Sequence, residues 1–173
     1  MFPPNENSLA KGYSKSSKIK IFSRVSWYPL KDICSNPELF CSDDHFSLNP
    51  KYIKQGALSN CYFLSAVASL CEIPQRIKKL FLSNEINMIS QCVGVRLCKD
   101  GEWKEIIVDN YLPCDNRKKI PCFSTSSNPN QFWVSYLEKC YAKAYGSYYM
   151  IEEGGIEEAL YDLTGYFFAV VTR

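Results

Sequence analysis

The longest apolar stretch runs from Cys61 to Cys71 and is apolar nearly all round, with only Ser65 and Ser69 interrupting it. Such a pattern predicts a buried helix rather than a surface one. Ser59 and Asn60 stand just before it, and their side chains are of the type that caps helix starts. Pro74 disfavours helical geometry at Ile73, so the helix is expected to end near Glu72. A second helix from Pro74 carries Ile77, Leu80 and Phe81 on one face and Gln75, Arg76, Lys78 and Lys79 on the other. The period then changes to two: Val93, Val95 and Leu97 alternate with Cys92, Gly94 and Arg96, which predicts a half-buried strand. Asp100-Gly101 is a hairpin turn signal, and Trp103 to Asp109 is the return strand. Asn128-Pro129-Asn130-Gln131 reads as a cap opening a helix with Phe132, Tyr136, Leu137, Cys140, Tyr141 and Ala144 on one face, stopped at Gly146. Gly154-Gly155 leads a last short helix with Ile156, Ala159, Leu160 and Leu163.

These elements predict an α+β fold. The Cys61 helix is central, flanked by helices near 131–145 and 155–163, with a small antiparallel sheet including 92–98 and 103–109. Residues 1–20 show no period and carry Pro, Ser, Asn and four lysines, so they read as a flexible basic tail. From Ile21 to Pro50 the chain reads as an irregular wrapped segment. Trp27, Tyr28, Ile33, Leu39 and Phe40 anchor it, and Pro29, Pro37 and Pro50 break any long element.

Composition narrows the class. With 173 residues the chain is one ordinary domain with a real core, and 46% apolar against 22% charged residues is a globular balance. A net charge of +2 argues against a nucleic-acid footprint. No apolar run reaches the length of a membrane span, so stable membrane insertion is not expected. The start, Met1-Phe2-Pro3-Pro4-Asn5-Glu6, lacks the pattern of a secretory signal. Nine cysteines occur with no C-x-x-C pair and a single histidine, His45, which argues against zinc. An odd count without a signal also argues against a disulfide framework. Reduced thiols in a cytoplasmic protein fit best.

The candidate chemistry lies at the start of the central helix. Cys61 falls in its first turn, where the positive end of the helix dipole favours the thiolate, the nucleophilic form. Gln55 lies six residues upstream, before a turn at Gly56, and its amide can face the same point in space. A nucleophile and a neutral donor aimed at one reacting atom are the minimum for acyl transfer; the alternative is a cysteine that is simply inert core. Cys61, Ser65 and Ser69 share one line of the helix, which either faces a cleft or lets another element pack closely. Elsewhere the readings are structural. Asp109 closes a turn at a strand end, Arg117-Lys118-Lys119 is a solvated loop, and Glu138-Lys139 is an exposed pair on a helix.

The string Gln55-Gly56-Ala57-Leu58-Ser59-Asn60-Cys61-Tyr62-Phe63-Leu64-Ser65-Ala66 resembles the active-site segment of the calpain family of cysteine proteases, Q-G-x-L-G-D-C-W-F-L-A-A. It departs at Ser59, Asn60, Tyr62 and Ser65. Trp27 to Ile33 and Asn36 to Phe40 resemble the family's approach to that motif. Gly101 to Pro113 is similar to its hairpin G-x-W-x-x-V-x-V-D-D-x-L-P. Phe132 to Tyr148 is similar to its helix F-W-x-x-L-L-E-K-A-Y-A-K-x-x-G-S-Y. Asp162 to Gly165 resembles the D-x-T-G-G hinge, with Tyr166 in place of the second Gly. The resemblance spans Trp27 to Gly165.

The resemblance implies a papain-like protease half. In the family the first subdomain supplies the nucleophilic Cys and the oxyanion-hole Gln, here Cys61 and Gln55, and a second subdomain supplies His and Asn. Residues 21–165 therefore look like the first subdomain and 166–173 like the start of the hinge and second one. His45 lies upstream on a loop, not where the family takes its histidine. The implied function is that of the N-terminal half of an intracellular endopeptidase acting on proteins, inactive until a second half supplies His and Asn. The alternative is a non-catalytic calpain-like module that binds proteins. The family also binds Ca²⁺ in this subdomain through loop carbonyls and two carboxylates. Tyr52 and Gln131 stand at the carboxylate positions, so no tight calcium site and no other cofactor are expected.

Overall fold

The protein is described by a computed structural model covering residues 2–10, 22–41, 48–86 and 91–166. A short helix α1 (Glu6–Ala10) is followed by a 3-10 turn at Phe22–Arg24, strand β1 (Val25–Pro29) and helix α2 (Leu30–Ile33). A second 3-10 turn, Pro50–Tyr52, leads into β2 (Ile53–Lys54), and then come α3 (Cys61–Cys71) and α4 (Pro74–Leu80). The strands β3 (Cys92–Lys99), β4 (Glu102–Asp109), β5 (Tyr111–Asp115) and β6 (Thr125–Ser126) follow. Helix α5 (Trp133–Tyr145), a 3-10 turn at Tyr149–Ile151 and helix α6 (Ile156–Thr164) complete the described chain.

The strands form three antiparallel pairs: β1 with β5, β2 with β6, and β3 with β4. The β3–β4 hairpin pairs Cys92 with Asp109 through to Lys99 with Glu102. Its turn places Asp100 at φ 57° and Gly101 at φ 83°, the left-handed pair that a two-residue hairpin loop needs. Alternation holds in β3, where Val93, Val95 and Leu97 are buried while Arg96 is exposed. Helix α3 packs on α6 and α4, and α5 covers the β3–β4 hairpin. The core between them includes Phe63, Val67, Leu97, Trp133, Leu137 and Tyr141. The fold is thus α+β with small antiparallel sheets, as the pattern of apolar positions implies; the helix enclosed on every side is α5, while α3 keeps one face in solvent.

Four expectations fail. The tail expected over residues 1–20 is no tail at its start: α1 buries Ser8 and Leu9, Phe2 is also buried, and the Phe2 ring sits 6.2 Å from that of Tyr148. Residues 11–20 of that tail lie outside the described residues. The helix expected to open at Asn128 begins instead at Trp133. Asn128 caps a turn, its Oδ1 accepting from the Asn130 N–H at 3.0 Å. Glu138 and Lys139 are not an exposed pair but are both fully buried. α5 is buried on every side from Trp133 to Ala142, so no face is left for charged residues to point into water. Finally, Asn60 occupies the N-cap position of α3 without its side chain capping the helix.

Candidate active site

Cys61 is the first residue of α3 and is exposed. The carbonyl of Asn60 starts the helix by accepting from Phe63 N at 3.1 Å and Leu64 N at 3.2 Å. Burial of Phe63, Leu64, Ala66, Val67 and Leu70 fixes which way the helix is rolled. Phe63 stacks on Tyr141 of α5, ring centroids 4.3 Å apart. The same roll turns Cys61, Ser65 and Ser69 outward, so that line faces solvent rather than a packed neighbour. The Ser69 hydroxyl donates back to the Ser65 carbonyl at 3.0 Å, the usual internal bond of a helical serine.

Gln55 is also exposed, on the loop between β2 and α3. Its Nε2 donates to the Leu58 carbonyl at 2.8 Å, curling the loop and leaving its second N–H uncommitted to that bond. Leu58 and Asn60 are buried and pin the loop at both of those points. Gly56 presses on the segment before β6: a Cβ there would collide with the carbonyl oxygens of Phe123 and Cys122. Only glycine permits this approach. The neighbouring Ala57 N–H donates to the Cys122 carbonyl at 2.9 Å.

The residue that ties these pieces together is Glu138. Its Oε1 accepts from Asn60 Nδ2 at 2.7 Å, and its Oε2 accepts from Ser124 N at 3.0 Å. Burial pushes its carboxyl up to about 7, against the pull of those two donors. Sequence reasoning missed it because glutamate is rarely fully buried and an adjacent Glu-Lys reads as a solvated pair. One signal was present: the positions three and four away on α5, namely Val134, Ser135, Tyr141 and Ala142, are all small or apolar. Lys139 is held on the opposite side, donating to the Asp109 carboxylate and to the Asp109 and Tyr111 carbonyls. Asp109 closes its turn as expected, accepting from Tyr111 N at 3.0 Å, and in addition neutralises Lys139.

The other thiols differ from Cys61 in environment. Burial pushes Cys71, Cys114 and Cys140 up to about 12 and Cys122 up to about 11, so they remain protonated at neutral pH. Tyr62, beside Cys61, is raised to about 12 by burial and is hydrogen-bonded to Tyr141. Its ring lies where a Cβ on Gly154 would be only 2.6 Å away. From Tyr141 the chain of hydroxyls continues to Tyr145 at 3.4 Å and ends where the Tyr145 hydroxyl donates to Asp162 Oδ2 at 2.6 Å.

Tyr52 and Gln131 do not fit a hard divalent cation. Gln131 Oε1 already accepts from the Ser126 hydroxyl at 3.1 Å, and its buried Nε2 is a donor without a partner among the described residues. The Lys51 ammonium lies 4.8 Å from the centre of the Tyr52 ring, adding positive charge. Neither side chain supplies the negative charge such an ion needs. His45 lies outside the described residues. No helix among those described is long and apolar enough to cross a membrane.

The family model described as calpain family cysteine protease matches residues 1–173. The calpain-type cysteine protease DEK1 of Arabidopsis thaliana is 40% identical over 171 residues, covering 95% of this chain and 8% of its own length. The calpain-type cysteine protease ADL1 of Oryza sativa subsp. japonica gives the same identity and coverage. Calpain-10 of Rattus norvegicus is 33% identical over 171 residues, 95% of this chain and 24% of its own. The chain therefore spans less than a quarter of the length of these relatives.

Proposed function

The chain belongs to the calpain family of cysteine proteases, and we propose that it is the Cys-bearing half of a cytoplasmic endopeptidase that cuts protein substrates. The observation that carries this reading is the exposed thiol of Cys61 on the first turn of a helix whose opposite face, Phe63, Leu64, Ala66, Val67 and Leu70, is buried. The exposed amide of Gln55 on the adjoining loop supports it.

In this reading Cys61 Sγ, as thiolate, attacks the scissile carbonyl carbon and forms an S–C bond. The carbonyl π electrons move to oxygen, and Gln55 Nε2–H donates to that oxyanion. Collapse expels the amine, which takes its proton from a histidine of the second core half, and water then hydrolyses the thioester. A paired imidazolium is what stabilises the thiolate in papain-like sites. The 173-residue chain by itself is therefore expected to show no peptidase activity.

Activity of the complete core decides the matter. Cys61→Ala should abolish turnover, and Gln55→Ala should lower kcat about 10²–10³-fold, the usual loss for one oxyanion donor. A complete core that cleaves no protein, with a wild-type Cys61, would instead favour a non-catalytic binding module. Turnover that survives Cys61→Ala would refute the assigned nucleophile.

A further inference from the structure

The carboxylate of Glu138 has two oxygens, and each ends a different path. One path runs through Asn60 Nδ2 to the residue directly before Cys61, although Asn60 and Glu138 are 78 residues apart. The other runs through Ser124 N to the segment whose Cys122 and Phe123 carbonyls meet Ala57 and Gly56, directly after Gln55. Ser135, one turn earlier on the same helix, secures that segment again, its hydroxyl donating to the Ser124 carbonyl at 2.7 Å. Cys122 N in turn donates to the Pro113 carbonyl at 2.9 Å, tying the segment to β5. The start of α3 and the Gln55 loop therefore meet at a single buried side chain on α5.

We propose that Glu138 is a positioning residue that fixes Gln55 and Cys61 relative to each other, by bonding at once to Asn60 at the start of the Cys61 helix and to Ser124 in the segment against which Gly56 and Ala57 of the Gln55 loop pack. The proposal rests on reading Cys61 and Gln55 as nucleophile and oxyanion donor. Glu138 touches neither the substrate nor the thiol; it acts through Asn60 and Ser124.

The chemistry of the junction predicts which substitutions it tolerates. Asn60 Oδ1 is buried and has no hydrogen-bond partner among the described residues. In Glu138→Gln the amide oxygen can keep the Ser124 N–H bond. The new N–H₂ meets Asn60 Oδ1 once the Asn60 amide turns over, so both paths survive without charge. A carboxyl raised to about 7 is itself half neutral near physiological pH, which agrees with a junction that works uncharged. Tyr148, packed nearby, presents a neutral hydroxyl, and Lys139 points away to Asp109. Glu138→Met keeps the approximate volume but removes both acceptors, leaving Asn60 Nδ2 and Ser124 N unpaired in the core.

Amide hydrogen exchange on the 173-residue chain, with iodoacetamide labelling of Cys61 alongside, tests the proposal. In Glu138→Met, exchange at Ala57, Phe63, Leu64 and Ser124 should rise together about ten- to a hundredfold, the cost of leaving one or two buried donors unpaired, while the β3–β4 amides stay at wild-type rates. The labelling rate of Cys61 should change with them, and Glu138→Gln should restore both readouts. Faster exchange at only one of the two segments, a uniform rise including β3–β4, or a Glu138→Gln variant that behaves like Glu138→Met would overturn it. The exchange pattern depends only on the junction. A failure of the protease reading shows separately, as turnover by the complete core that survives Cys61→Ala.

Discussion

Replacing Glu138 with glutamine should change how stability depends on pH. In the folded chain burial raises the Glu138 carboxyl from its ordinary 4.5 to about 7. Between those values the native protein holds a proton that the unfolded chain has released. The folded state thus binds more protons, and stability falls as pH rises through that window. Below pH 4.5 both states are protonated and the residue contributes nothing; above 7 both are ionised and the loss is complete. At about 1.4 kcal/mol per pH unit the full loss is about 3 kcal/mol. This is the reverse of a salt-bridged carboxylate, whose contribution grows with pH. Urea denaturation of wild type and Glu138→Gln, at half-unit steps from pH 4 to 8, measures the effect as the difference between the two curves. Asp162, also raised by burial, is common to both proteins and cancels. The variant should gain about 3 kcal/mol on the wild type between pH 4.5 and 7 and hold that gain above it. Parallel curves across the window would show that the carboxylate is solvated or fully compensated, and the account of a buried, desolvated junction would fail.

Gly56→Ala should destabilise the chain by about 1–3 kcal/mol, because its Cβ meets backbone carbonyls that cannot rotate away; an unchanged urea midpoint would contradict the close approach. Native-state alkylation followed by mass spectrometry should label Cys61 before the buried Cys71, Cys98, Cys114 and Cys140; earlier labelling of any of those four would mean that the core opens more readily than its packing implies. Titration calorimetry with Ca²⁺ should show no micromolar site, since Tyr52 and Gln131 bring no charge; micromolar binding lost on substituting loop residues 45–52 would show that carbonyls alone suffice.

What the sequence by itself determined was carried by short-range pattern. The all-round apolar run gave the Cys61 helix, period two gave β3, Asp100-Gly101 gave the hairpin, and the motif around Cys61 gave the family. These signals are local because helix, strand and turn preferences act within a few residues. Only the tertiary structure decided the fate of polar groups whose partners are far away in the chain. Asn60 has the chemistry of a cap, yet its side chain bonds a carboxylate 78 residues on. Glu138 and Lys139 are chemically ordinary surface residues, and they are buried because α5 is enclosed on all sides by elements the local pattern does not bring together. Phe2 and Leu9 lie in a stretch with no period at all, and they are buried because the core has a surface for them to cover. A polar or isolated apolar residue has no intrinsic address; its burial is a balance of desolvation against partners, and those partners exist only once the chain has folded.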